Sequence, residues 1–244
     1  MPISISIINC STRKNGRTSR LLEPFIEGIL NSESARVHQY FLNEWELKCC
    51  EGCFSCWFNQ PGKCKTNDDF TLNIHKIFES DILVLASPLW IGNGTHLFRI
   101  FTERLVSLLV PYFQKTGKSG LYGHKKLDNF KTKEVVLFSN CGLTGLHNFR
   151  PIIEQCLALE YLCDLNFSTS VLKDQALELK FSGEKEIKEL FIEIKSLGFE
   201  MSSNFEKFKQ KGHFLLKRLI ESEKYNELCN KSFKEEFEKM KFKT

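Results

Sequence analysis

Residues 81–95 read DILVLASPLWIGNGT. The first seven are an almost unbroken apolar run; the rest is a turn rich in glycine and asparagine. The run is short and lacks the alternation of a strand with one wet face, so it predicts a strand covered on both sides, as in parallel sheets sandwiched between helices. ISISIIN at 3–9 and EVVLFSN at 134–140 have the same short, β-branched character. ARVHQYFL at 35–42 and the less regular 163–171, with Phe167 and Val171, bring the expected strands to five. Helical spacing fills the gaps. Thr18 to Leu30 carries Leu21, Leu22, Phe25, Ile26 and Ile29 on one stripe, with Pro24 expected to kink it. Asp68 reads as the cap of a helix to Glu79. Residues 94–110 carry Leu97, Ile100, Phe101, Leu105 and Leu108, and 148–162 form a further helix. This alternation predicts an α/β fold, a doubly wound parallel five-stranded sheet with helices on both faces. Such sheets bind ligands beyond the carboxyl ends of their strands. Chemistry is therefore expected in three loops, at 10–18, 87–95 and 140–147.

The 244 residues, 42% hydrophobic and 26% charged, suit one domain with an appendage. The expected division is 1–183, with a cysteine-rich insertion at 46–66, and 184–244, the last helix of the fold plus a helical C-terminal extension. Helices are expected at 184–210 and 213–240, the second with Leu215, Leu216, Leu219 and Ile220. The net charge of +4 is small. Its excess lies in Lys231, Lys234, Lys239, Lys241 and Lys243, interleaved with Glu235, Glu236 and Glu238, the pattern of a solvated helix face rather than a nucleic-acid patch. No apolar run reaches membrane-spanning length, and the N-terminus lacks the features of a signal peptide. A cytoplasmic protein is expected, with no nucleic-acid or membrane partner.

The first loop, CSTRKNGRTS at 10–19, offers hydroxyls from Ser11, Thr12, Thr18 and Ser19, charge from Arg13 and Lys14, and a tight turn at Gly16. Placed before a helix N-terminus, it suits an anion. It matches neither the ATP P-loop nor the dinucleotide glycine pattern. The plainer alternative is a βα turn capped by Thr18. In the second loop, Trp90 presents a flat surface and Gly92, Asn93 and Gly94 expose backbone, which suits a planar heteroaromatic ring; the alternative puts Trp90 in the core. Residues 112–132, with Gly117, Gly120 and Gly123, form a long connection, read as a flap or a subunit contact.

Residues 49–64, CCEGCFSCWFNQPGKC, hold five of the ten cysteines. Cys50, Cys53 and Cys56 are spaced C-x2-C-x2-C, and Cys64 follows a segment containing Pro61 and Gly62. Two-residue gaps let successive thiolates turn toward one centre, as in ferredoxin runs. A tetrahedral zinc, a redox dithiol and reduced unliganded cysteines remain the alternatives. Compactness favours iron–sulfur, and Cys49 is left over. Trp57 and Phe58 read as packing or subunit contact. Cys141 reads as a small buried residue of the third loop, and Cys156, Cys163 and Cys229 read as buried. The six histidines show no metal-ligand spacing.

The loops together resemble the NAD(P)H-dependent FMN reductase branch of the flavodoxin-like superfamily. CSTRKNGRT stands where that family typically has G-S-P-R-K-x-G-N-T, and SPLWIG where it has S-P-V-Y-W/x-G. The resemblance covers residues 3–173. It implies that Ser11, Arg13, Gly16, Thr18 and Ser19 hold the FMN phosphate. Pro88, Leu89, Trp90, Gly92, Asn93 and Gly94 would line the isoalloxazine, the amides of Gly92 to Gly94 lying near its N1–C2 edge. Asn140, Cys141 and Gly142 would close over the other edge. Cys10 and Arg17 depart from the family's usual glycine and asparagine. Iron–sulfur flavoproteins of this family carry a similar cysteine motif in the same place, implying a [4Fe–4S] cluster on Cys50, Cys53, Cys56 and Cys64. The implied activity is electron transfer from NAD(P)H through FMN to a quinone, flavin or protein acceptor, in a homodimer or homotetramer. No side chain is assigned as catalytic, since the chemistry belongs to FMN. The alternatives are an electron carrier without its own turnover and a metal-stabilised interaction module.

Overall fold

The computed structural model describes residues 2–116, 120–132 and 134–241, so Gly117 and Lys243 lie outside the described residues. In chain order the elements are β1 (Ile3–Asn9), α1 (Arg17–Leu30), β2 (Ala35–Phe41), α2 (Ser55–Phe58), α3 (Asp69–Ile77), β3 (Ile82–Pro88), α4 (His96–Arg104), β4 (Leu109–Thr116), β5 (Leu121–Lys126), β6 (Glu134–Asn140), α5 (Arg150–Cys163), β7 (Asn166–Lys173), α6 (Glu184–Ser203), α7 (Phe205–Gln210), β8 (Phe214–Leu215) and α8 (Ser222–Lys241).

One sheet runs β2-β1-β3-β6-β7-β8, every pairing parallel. The order of its first five strands is the flavodoxin-like one. The two-letter period of the strands sets the layers. Ile82, Val84 and Ala86 face a core shared with Leu21, Leu22 and Phe25 of α1 and Leu190 and Ile194 of α6. Leu83 and Leu85, one residue out of phase, face a core shared with α3, α4 and α5. A strand buried on both faces must be apolar throughout, which is why DILVLAS shows no alternation.

The sheet has a sixth strand beyond the five expected. β8 falls where a helix from residue 213 is expected. Gly212, at φ 77°, takes the left-handed conformation that ends α7, and the chain then extends along the open edge of β7, Leu216 N donating to Leu172 O at 2.9 Å. Leu215, Leu216, Leu219 and Ile220 therefore precede α8 rather than forming its stripe. The helix expected over 94–110 stops at Arg104, and a single 3₁₀ turn (105–108) leads into β4. The long connection contains the antiparallel hairpin β4–β5. α1 runs unbroken through Pro24. Among the described residues no helix is long and apolar enough to cross a membrane.

α1 and α6 meet at glycine. A Cβ on Gly28 would sit 1.9 Å from Lys195 O, and one on Gly198 would sit 2.0 Å from Phe25 O. Only bare backbone permits that approach.

Candidate functional site

Hydrogen bonds knit the three loops together at the carboxyl end of the sheet. In the first, Ser11 N donates to Asn9 Oδ1 at 3.0 Å and Ser11 Oγ to Arg13 O at 3.0 Å. Gly16 N donates to Arg13 O at 3.1 Å, and a Cβ there would meet that same oxygen at 3.1 Å. The turn is thus too tight for a side chain to enter freely. α1 begins at Arg17 with Gly16 in the N-cap position and no side-chain cap, so Thr18 is not the cap. Its hydroxyl instead donates to Asn140 Oδ1 at 2.8 Å, tying the first loop to the third. The uncapped first turn leaves backbone N–H groups for a ligand. Thr95 caps α4 through Phe98 N and donates to Cys10 O at 2.6 Å, fastening the second loop to the first. Leu89 N donates to Asn140 O at 2.8 Å, fastening the second to the third.

Between these loops lies a cavity of about 540 Å³. Ser11, Thr12, Arg13, Arg17 and Thr18 form its polar wall; Pro88, Leu89 and Trp90 form a flat apolar one; Asn140, Cys141 and Gly142 face it from the third loop. Trp90 is 73% exposed, so it is a platform at the mouth and not a core residue. Burial and the neighbouring Arg13 hold Arg17 below the ordinary arginine value. Among the described residues neither arginine forms an ion pair, which leaves the polar wall positively charged.

Not every expected residue lines this space. Gly92, Asn93 and Gly94 lie outside its wall, and Gly94 N–H is already taken by Asn93 Oδ1 at 2.8 Å. Ser19 Oγ accepts from Asn9 Nδ2 and donates to Lys14 O, so it braces the loop from behind. Gly16 belongs to an adjoining basic hollow with Arg13, Arg17, Arg20 and Lys180. Thr95, His96, Ala176 and Leu177 complete the wall without having been singled out from sequence. Thr95 is the last residue of the second loop and His96 directly follows it, but no local signal marks 176–177. Tyr225 was also missed: from α8 its hydroxyl donates to Gly142 O, joining the extension to the third loop.

Burial pushes the Cys141 thiol up to about 11. Cys10 is completely buried and also displaced upward, first by burial and then by Cys156. Both are therefore protonated packing groups at neutral pH, not nucleophiles. Cys156, Cys163 and Cys229 are buried.

A second cavity, of about 290 Å³, has Cys50, Cys53, Cys56 and Cys64 on its wall together with Arg104. Gly52 at φ 62° and Phe54 at φ 51° are left-handed, bracketing Cys53 and curling the C-x2-C-x2-C run. Gly62 at φ 82° turns the next segment back, its N–H donating to Cys56 O at 3.1 Å, and this returns Cys64 to the same wall. Cys49 is exposed and lies outside the cavity. Burial, then Cys64, pushes the Cys56 thiol up to about 11. Among the described residues no three ligand-type side chains gather around a single point as for one ion. The four cysteines share the lining of one cavity.

The cavity is held from below by one ion pair. Arg104 donates to both Asp68 oxygens, at 2.7 and 3.0 Å, and to Lys48 O at 2.8 Å, with its guanidinium 4.4 Å from the centre of the Phe70 ring. Asp68 is the cap of α3, as expected, accepting from Thr71 N at 3.2 Å, and also accepts from Lys48 N at 3.0 Å. Trp57 Nε1 donates to Val106 O at 2.9 Å and its ring lies 4.8 Å from that of His124. The hairpin β4–β5 thus packs beside the cysteine segment and contributes no wall to the larger cavity. α4 joins the two cavities: His96, its first residue, lines one and Arg104, its last, lines the other. Its nine residues span about 13 Å at the α-helical rise.

Residues 3–123 match the family model described as NADPH-dependent FMN reductase. The chain belongs to that family. Within it, the chain is similar to an iron-sulfur flavoprotein of Clostridioides difficile, with 34% identity over 107 residues, 43% of this chain and 47% of that one. An iron-sulfur flavoprotein of Archaeoglobus fulgidus is 30% identical over 115 residues, 46% of this chain and 48% of that one. The chain therefore spans about half the length of the curated relatives it matches. In fold it is similar to an NAD(P)H:quinone oxidoreductase from Methanothermobacter marburgensis, at TM-score 0.58 and 12% identity, covering 82% of this chain and 98% of that one. It is similar as well to an FMN-dependent NADH-azoreductase from Bacillus anthracis solved in complex with FMN, at TM-score 0.52 and 11% identity, covering 82% and 99%.

Proposed function

We propose that this FMN reductase family member is an NAD(P)H oxidoreductase of the cytoplasm that holds FMN in the larger cavity and a [4Fe–4S] cluster on Cys50, Cys53, Cys56 and Cys64. The observation that carries the reading is the pairing of the two cavities at opposite ends of α4. The larger one has the size of a small-molecule site, one cationic wall and one flat apolar wall. That donor set suits a phosphate joined to a planar ring. Arg13 and Arg17 neutralise the phosphate, Ser11 and Thr18 frame it, and the free amides of the first turn of α1 face it. Leu89 and Trp90 support the ring, and the third loop, held by Tyr225, borders its other side. Four cysteines on one cavity wall are the donor set of an iron–sulfur cluster.

FMN supplies the chemistry when bound, accepting a hydride's two electrons from the nicotinamide and releasing them together or singly. The protein's part is to bind, orient and shield it. The cluster supplies one-electron transfer toward an acceptor. A small quinone or flavin, or a redox protein, would be that acceptor. Residues 1–183 form the flavin-binding unit, and 184–244 add its last helix and the extension that bears Tyr225. Exposed Tyr112, Phe113 and Tyr122 on the hairpin support assembly into a homodimer or homotetramer. The ten free thiols suit a reducing compartment.

Anaerobic purification from an iron-replete host, with iron, zinc and flavin analysis and an absorption spectrum, tests the reading. FMN near one per chain, about four irons and NAD(P)H consumption with a quinone are expected. Flavin and iron without NAD(P)H consumption would make the protein an electron carrier. Failure to bind FMN at all would overturn the reading.

A further inference from the structure

Arg104 is a buried cation with one donor to spare. Its side chain is 1% exposed on the wall of the thiol cavity. Nη1 donates to Asp68 and to Lys48 O, and Nη2 to Asp68 and Thr71 Oγ1. Nε is buried and, among the described residues, has no hydrogen-bond partner. A buried donor left unmade is costly, the more so when charged, and native proteins keep few of them. The sulfur neighbouring this guanidinium is that of Cys64, on the same wall.

The orientation of the spare donor is fixed. Asp68 grips the far edge of the guanidinium bidentately, so the plane cannot turn. Asp68 also offsets much of the positive charge. What remains on the wall shared with the thiols is chiefly a hydrogen-bond donor. Hydrogen bonds to cluster sulfurs and net charge are among the levers that set a cluster's reduction potential.

Resting on the reading that the four cysteines hold a cluster, we propose that Arg104 tunes it, its Nε–H donating to the Cys64 thiolate and favouring the reduced state. Reduction adds one electron, supplied from NAD(P)H by way of the flavin, and moves no proton; Arg104 stays protonated throughout. One more negative charge spread over the sulfurs strengthens an N–H···S bond, so the bond raises the potential. Lysine cannot replace this function. Its single ammonium would serve Asp68 and leave no fixed second donor for sulfur.

The test is Arg104→Lys, purified anaerobically with flavin and cluster and titrated electrochemically while the reduced cluster is followed by EPR. Iron and flavin content should match the wild type. The one-electron reduction equilibrium constant should fall about tenfold, a midpoint lower by about 59 mV. Full iron with a midpoint unmoved or raised would overturn the proposal. If the variant loses iron or fails to fold, wild-type protein labelled with ¹⁵N-arginine decides. Pulsed EPR on its reduced cluster should show a ¹⁵N coupling and a proton exchangeable in D₂O, and the absence of both overturns the proposal. Wild-type protein that binds FMN but no iron overturns the cluster reading and this inference together, whereas full iron with an unmoved midpoint overturns this inference alone.

Discussion

Replacing Asp68 with alanine should be among the most damaging single changes to the cysteine region. The side chain is completely buried and accepts four hydrogen bonds: two from Arg104, one from Lys48 N and one from Thr71 N. Burial alone would raise its pKa, but the Arg104 bonds and the two amides outweigh it and hold the carboxyl below its ordinary value. Removing it strands the Arg104 charge in the interior, which costs about 3–5 kcal/mol. It also uncaps α3, worth about 1 kcal/mol. The two losses share groups and do not add fully. We expect about 4 kcal/mol, a large part of the roughly 5–15 kcal/mol that a domain has. Equilibrium urea unfolding at pH 7 measures it. Asp69→Ala is the control: its carboxylate takes one exposed bond, from Glu46 N at 2.7 Å, and should cost under about 1 kcal/mol. The sign with pH also follows. A depressed carboxyl contributes stability above its unfolded pKa of about 3.9 and loses it as pH falls through the folded value. The gap between wild type and variant should therefore be full at pH 7 and narrow below about pH 4. A loss under about 1 kcal/mol at pH 7 would refute the argument that this buried pair anchors the segment.

Gly28→Ala should destabilise despite the roughly 1 kcal/mol gain in helix propensity, because its Cβ would lie 1.9 Å from Lys195 O; a net loss of about 1–3 kcal/mol in urea unfolding is expected. Cys53→Ser should abolish iron binding and leave FMN binding measurable, whereas Cys49→Ser should retain full iron, both read by metal analysis of anaerobic protein. Arg17→Ala should weaken FMN binding about tenfold or more, with a shallower dependence on salt, measured by flavin fluorescence quenching. Tyr225→Phe should cost about 0.5–1.5 kcal/mol by removing the bond to Gly142 O, and speed FMN release in stopped-flow.

The sheet was legible because its strands announce themselves: DILVLAS and EVVLFSN are apolar on both faces, and Asp68 marks a helix start by chemistry alone. Boundaries failed where a tertiary partner decided. Residues 214–215 became a strand because β7 had an open edge, and 109–110 left the preceding helix because β5 was there to pair with. In the larger cavity, the loops read from sequence contributed Ser11, Arg13, Thr18, Pro88, Leu89, Trp90, Asn140, Cys141 and Gly142. The glycines at 92 and 94 were placed by their backbone freedom, but Asn93 Oδ1 takes the Gly94 amide, a local bond that composition does not reveal. Leu177 and Tyr225 arrive from distant parts of the chain. Arg104 carried no signal at all: an arginine near a helix end reads as surface charge until the carboxylate that buries it is seen.

α4 acts as a ruler. Its two ends mark the two cavities, so their separation is counted in residues rather than adjusted by loops. Each residue inserted into it would turn the following side chains by about 100° and push them about 1.5 Å further on. A single insertion between His96 and Arg104 would swing the arginine off Asp68 and away from the thiols, while Thr95 kept its bond to Cys10 O. The spacing of the two cavities is thus written into the length of one helix. A length change that a surface loop would absorb would, in α4, move one cavity wall relative to the other while leaving each cavity standing.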